Sequence, residues 1–193
     1  MITQLKGRLV EKTPTELVID CNGVGYLINI SLNTFSKLTD SESIFLYTHL
    51  QVKEDSHTLF GFFDKIERNL FRKLISVSGI GASTARTMLS SLSPDEIQNA
   101  IISGNVTTIQ SVKGIGLKTA QRVIIDLKDK VNLNGESENL ITNIYNTNQD
   151  EALSALEVLG YNRKHTRKVV ESLLNENPEI SVEGLIKGAL NKL

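Results

Sequence analysis

Ser76-Val77-Ser78-Gly79-Ile80-Gly81-Ala82-Ser83-Thr84-Ala85 returns 35 residues later as Ser111-Val112-Lys113-Gly114-Ile115-Gly116-Leu117-Lys118-Thr119-Ala120, with seven of the ten positions identical. Repetition at this length marks one supersecondary unit used twice. Apolar residues at helical spacing flank each copy, over Leu70 to Val77 and Thr84 to Leu92 for the first and over Thr108 to Val112 and Lys118 to Leu127 for the second. The spacing predicts helix, tight glycine turn, helix. Paired glycines reach backbone angles closed to other residues and leave no side chain between the amides and an approaching ligand. Ile80 and Ile115 are placed to tuck between the helices. The amides just after Gly81 and Gly116 are the unpaired donors of a helix start and carry the positive end of its dipole, which makes each turn an anion site that phosphate fits. Ser83, Thr84 and Thr119 stand at those starts, Lys118 and Arg122 add charge one turn apart, and Lys113 adds it from the other side.

A dinucleotide fingerprint needs Gly or Ala at its sixth position, where Thr84 and Thr119 stand, and a P-loop needs glycine followed directly by lysine, where Leu117 follows Gly116. Neither pattern is met, although Leu74-Ile75-Ser76-Val77 keeps open a strand feeding a GxG turn. One such turn alone would read as a plain helix C-cap; two copies with matching flanks favour a shared task.

Outward from the repeat, the hydrophobic period changes near Asp64. Ile66, Leu70, Phe71, Leu74 and Ile75 form one face of a helix, and all-helical structure is expected to about Val131. Ser93-Pro94-Asp95-Glu96 supplies an N-cap, a first-position proline and first-turn carboxylates. From Met1 to about Phe63 the period is two, as in Leu17-Val18-Ile19, Tyr26-Leu27-Ile28-Asn29-Ile30 and Ile44-Phe45-Leu46-Tyr47. With turns at Asn22-Gly23 and Lys53-Glu54-Asp55-Ser56, five or six short antiparallel strands are expected, closed into a small barrel. Residues 133–149, rich in Asn, Ser and Thr, read as a flexible linker. Three amphipathic segments follow, Glu151 to Leu159, Arg163 to Leu174 and Val182 to Leu193.

The 193 residues are 40% hydrophobic and 5% aromatic with no tryptophan, which leaves room for one to about three small domains. Lysine and arginine number 21 against 22 acids, so a net charge of -1 excludes binding of polyanions through bulk charge alone. Residues 64–132 carry 10 cations and 6 anions, whereas residues 1–63 carry 5 and 7, 133–150 none and 3, and 151–193 6 and 6. Basic character therefore concentrates in the central helical segment. A single cysteine, Cys21, builds no disulfide framework, and His49, His57 and His165 lie too far apart in the sequence to suggest a metal site. Lys6 and Arg8 interrupt the amino terminus before an apolar signal region can form, and no apolar run approaches the ~20 residues of a membrane span. A soluble cytoplasmic protein is expected, with no cofactor, no metal and no membrane partner.

Several further elements accompany the two hairpins: the Gly7-Arg8 strand, Gly23-Val24-Gly25-Tyr26, Thr48-His49 with Glu54-Asp55, Phe60-Gly61-Phe62, Glu67-Arg68 with Leu70-Phe71, and Leu159-Gly160-Tyr161. Together, from Met1 to Leu193, they resemble the RuvA family of bacterial Holliday-junction-binding proteins. The resemblance implies a multidomain β-then-α chain: an OB-fold barrel over 1–63, a tandem helix-hairpin-helix DNA-binding domain over 64–132, the linker, and a three-helix, UBA-like motor-docking module over 150–193. It implies a homotetramer that holds a four-way junction open, with the RuvB hexameric ATPase and the RuvC resolvase as partners in recombination, repair and the SOS response. Glu54 and Asp55 would be the acidic pin at the junction centre, and Leu156, Leu159 and Tyr161 match positions used for motor docking. The neutral charge of that module points to an apolar interface. Two departures bear on DNA contact, since Ser83 stands where the family often has lysine and Leu117-Lys118 where it has a basic pair. Arg86, one turn beyond Ser83, is expected to compensate.

No catalytic constellation is visible. There is no Walker motif and no Ser-His-Asp or Cys-His arrangement, and the Glu54-Asp55 pair lacks the further ligands of a nuclease metal site. An accessory, non-enzymatic subunit of a branch-migration helicase is the leading reading. Its rivals are a repair enzyme that uses hairpins only to hold DNA, and a protein-interaction adaptor that never touches DNA.

Overall fold

A computed structural model describes residues 1–39, 41–135, 144–177 and 180–193. The chain divides into two compact units, Met1–Glu136 and Ser137–Leu193. The first opens with β1 (Gln4–Lys12), β2 (Glu16–Cys21), β3 (Val24–Ile30), β4 (Ser43–Val52) and β5 (His57–Phe62), closed as a barrel in the order β1-β2-β3-β5-β4. Alternation along the strands sends Leu17, Ile19, Ile28, Ile30, Ile44 and Leu46 inward to form its core. The β2–β3 turn uses Asn22 at φ 53° and Gly23 at φ 89°, the paired left-handed angles a two-residue hairpin requires. Asp20 braces it by accepting the Gly23 amide at 2.7 Å.

The sheet departs from the all-antiparallel expectation at one seam. β3 and β5 run parallel, with Ile28 opposite Leu59 and Ile30 opposite Gly61. Parallel neighbours need a long connection, and it is supplied by β4 together with α1 (Leu32–Lys37), a short helix that strand periodicity did not reveal. Ser31 caps α1 by accepting the Thr34 amide at 2.9 Å.

The helices have a core of their own that takes in Phe60 and Phe62 of the barrel. α2 (Lys65–Ile75) buries Phe71 against Phe60 and Phe62 of β5, with ring centroids 5.1 and 4.9 Å away, and against His49 of β4 at 5.5 Å. Its Glu67 is fully buried and accepts hydrogen bonds from the hydroxyls of Ser31 and, at 2.7 Å, Thr34. Burial pushes the Glu67 carboxyl above the usual carboxylate range, a rise the two hydroxyls oppose. α3 (Ala82–Ser91), α4 (Pro94–Ser103), α5 (Val106–Gln110) and α6 (Leu117–Gly135) complete the unit. α4 begins with the expected cap: Ser93 accepts from the Glu96 amide and Glu96 from the Ser93 amide.

The second unit is three helices, α7 (Ile144–Val158), α8 (Arg163–Glu176) and α9 (Val182–Lys192), around Ala152, Leu153, Leu156, Val170, Leu173, Leu185 and Ala189. Within the segment expected as a linker, 133–149, α6 extends to Gly135 and α7 begins at Ile144. Residues 136–143 of that linker lie outside the described residues.

Candidate nucleic-acid interface

Each hairpin is assembled by the same bonds at the same offset. In the first, α2 ends at Ser76, the Ile80 amide donates to the Val77 carbonyl at 3.1 Å, and the Ala85 amide opens α3 by donating to Gly81 at 2.9 Å. In the second, α5 ends at Ser111, Ile115 donates to Val112 at 3.1 Å, and Ala120 donates to Gly116 at 2.9 Å. Gly79 and Gly114 turn the chain at φ 96° and 92°, angles that strain any residue with a Cβ. Val77, Ile80 and Ala85 are buried, and so are Val112, Ile115 and Ala120, so both isoleucines sit between helices as expected.

Burial also sorts the three positions at which the copies differ. Ser78 against Lys113 and Ser83 against Lys118 are exposed in both. Only Ala82 against Leu117 changes environment, from buried to 51% exposed. The repeat thus keeps the buried Val, Ile and Ala of each copy, and two of its three differences lie at the surface.

Gly81 and Gly116 require a different explanation from Gly79 and Gly114. Neither has a positive φ, and a Cβ built on either meets nothing within 4 Å. Internal packing therefore does not demand glycine at 81 or 116. Gly81 is the N-cap of α3 and gives it no side-chain cap, so the amides of Ala82, Ser83 and Thr84 lie ahead of the first intrahelical bond at an exposed turn. Such a bare start suits an external anion approaching the backbone closely.

The two turns are neighbours. A Cβ on Gly79 would lie 3.9 Å from the Thr119 side chain at the start of α6, and the Arg122 guanidinium donates to the Ser78 carbonyl at 3.4 Å. Arg122 therefore bridges the hairpins. Lys113 and Lys118 are exposed, with no ion pair among the described residues.

Arg86 does not compensate for Ser83. Its guanidinium donates to Asn29 Oδ1 at 2.7 Å and to the Thr15 carbonyl at 3.2 Å, which directs it toward the barrel and ties α3 to it. Helical spacing gave its face but not the barrel acceptors waiting there. Glu54 and Asp55 stand exposed at the β4–β5 turn, which the Lys53 amide closes by donating to the Ser56 carbonyl at 2.8 Å.

In the second unit the expected docking trio separates. Leu156 is 0% exposed and belongs to the core, because helical periodicity turns it toward Val170 and Leu185. Leu159 and Tyr161 are 57% and 39% exposed, and Val158, which sequence reasoning missed, is 88% exposed. The signal lay in Gly160. Its φ of 96° ends α7, with the Tyr161 amide donating back to Leu156, so the residues around it leave the buried stripe. Among the described residues, no group of His, Cys, Asp and Glu is placed to hold a metal ion, and no helix is long and apolar enough to cross a membrane.

Comparison with known proteins finds three consecutive matches along the chain. Residues 1–61 match the RuvA N terminal domain, 71–129 the SAM-like helix-hairpin-helix tandem and 147–193 the RuvA C-terminal domain. Proteins named Holliday junction branch migration complex subunit RuvA are similar over the whole length of both chains: 64% identical in Christiangramia forsetii, 58% in Flavobacterium psychrophilum and 47% in Bacteroides fragilis. With the barrel, the paired hairpins and the helical module each matched in order, the chain belongs to the RuvA family.

Proposed function

We propose that this chain binds four-way DNA junctions and holds them open for branch migration in recombination and repair, while a RuvB-type ATPase supplies the energy. The observation that carries the reading is the pair of hairpins, equal bond for bond, whose Gly81 and Gly116 leave helix-start amides uncovered without any packing reason to be glycine. Amides and lysines contact phosphate, which positions DNA without reading its sequence, so recognition depends on structure. Gly79, Gly114, Thr84 and Thr119 shape the two turns, Ile80 and Ile115 anchor them, and Lys113, Lys118 and Arg122 add charge beside them.

Glu54 and Asp55 repel phosphate, so they are not an affinity device. Their role is to keep strands apart at the crossover and to disfavour plain duplex. Assembly as a homotetramer through the barrel and the first central helices brings four such turns together, a reading supported by exposed Phe63 and Ile66 at the start of α2. Exposed Val158, Leu159 and Tyr161 form the motor-docking corner, and a RuvC-type resolvase acts on the same junction complex.

Band-shift titration of a synthetic four-way junction and a duplex of equal length tests the assignment. Tighter binding to the junction is expected, together with a narrowing of that preference when Glu54→Gln and Asp55→Asn are combined. Equal binding of the wild type to both substrates would overturn it.

A further inference from the structure

Residues 151–193 are neutral as a whole, yet their charges are segregated. Arg163-Lys164-His165-Thr166-Arg167-Lys168 opens α8 with no acid in its first turn, whereas Glu171 and Glu176 stand toward its far end. This order opposes the helix's own stability, because the peptide dipole already places positive charge at the amino end and negative charge at the carboxyl end. Cations there reinforce the dipole, and the two together make a site for an anion.

Helical geometry places positions 164 and 168 opposite Thr166, Val170 and Leu173, which are buried in the module, with 163 and 167 on the flank between the two faces. Arg163 pairs with Glu157 at 3.3 Å and Arg167 with Glu171 at 3.1 Å, but all four side chains are well exposed, and such pairs are readily exchanged for another anion. Lys168 and His165 line an open hollow with Asn162, Arg167 and Glu171. No Phe, Tyr or Trp lies within 162–168 and His165 is the one ring there, so the surface offers charge and hydrogen-bond donors more than a stacking platform.

We propose that the amino-terminal half of α8 is a second DNA-backbone contact, taking the phosphates of a duplex arm. The inference rests on the junction-binding reading above. Nucleic acid is favoured over an acidic protein because the hairpins of this polypeptide already hold a polyanion, so covalent linkage makes the second contact intramolecular and raises its effective concentration. The apolar corner at Val158, Leu159 and Tyr161 remains available to the motor.

The test compares four full-length proteins, the wild type, Lys164→Gln/Arg167→Gln/Lys168→Gln, Gly81→Val/Gly116→Val, and the variant that combines all five changes, on junction and duplex across a salt series. Arg167 and Lys168 are exposed, and circular dichroism checks that helix content is kept. Loss of up to three phosphate contacts should lower the slope of log affinity against log salt by about 2 to 3 for duplex arms. Junction preference should persist in this variant, and the weak duplex binding left in the glycine variant should be the part the glutamines remove. An unchanged slope in the glutamine variant, with the glycine variant unable to bind, overturns the α8 contact and leaves the hairpin reading standing. Wild-type protein that binds neither substrate overturns both. A glutamine variant that binds DNA normally but loses salt-sensitive association with the ATPase assigns the patch to an acidic protein surface instead.

Discussion

Glu67 shows how a single side chain couples distant parts of the first unit. Its carboxylate, buried on α2, is the shared acceptor for Ser31 and Thr34 at the start of α1, and Thr34 in turn accepts the Phe63 amide at 3.1 Å. Because its pKa is raised in the fold, the stability it contributes is fully present below the ordinary carboxylate pKa and is lost as pH rises through the raised value. Wild-type Tm should therefore gain on that of Glu67→Gln as pH falls from about neutral toward about 5; parallel curves would refute this. Lys113 and Lys118 act at the same scale, as point charges beside the turns. Replacing either with Gln should weaken junction and duplex binding alike and reduce the salt slope by about 1. Their identities were legible from the repeat. The direction of Arg86 was not, because its acceptors, Thr15 and Asn29, lie 71 and 57 residues away in the chain.

Among the elements, those that carry their own start signals were readable in advance. α4 follows directly from Ser93-Pro94-Asp95-Glu96, and the hairpins follow from their repetition. α1 was not readable, since six residues give too little periodicity and its position depends on Glu67, 36 residues beyond Ser31. The β3–β5 pairing was hidden for a related reason: strand alternation tells which face is buried but not which strand lies alongside. α2 is the element on which the unit turns, because Phe71 packs on both strand aromatics while the helix leads into the first hairpin. Phe71→Ala should cost about 3 to 5 kcal/mol in chemical denaturation, and DNA binding should fall with the loss of fold. Retention of full stability would mean that the core around Phe71 does not hold the hairpins in place.

At the scale of the whole molecule, each of the two units has a core of its own. A chain ending at Gly135 should fold, keep its junction preference and fail to associate with the ATPase, as read by band shift and by co-sedimentation with the motor. The α8 contact adds that this shortened chain should show a shallower salt dependence than the full one. Composition does not reveal the basic opening of α8, because the total charge of residues 151–193 is neutral. In the proposed function, bare helix starts at Gly81 and Gly116 capture DNA phosphate. The most direct test of this capture is the junction affinity of Gly81→Val/Gly116→Val across a salt series, beside a thermal melt. An N-cap change from glycine costs about 1 kcal/mol or less at each turn, and neither new side chain meets a neighbour at its Cβ, so the fold should persist. The expected result is a folded protein whose junction preference and steep salt dependence are lost. A folded variant that binds the junction as the wild type does would contradict phosphate capture by the hairpins.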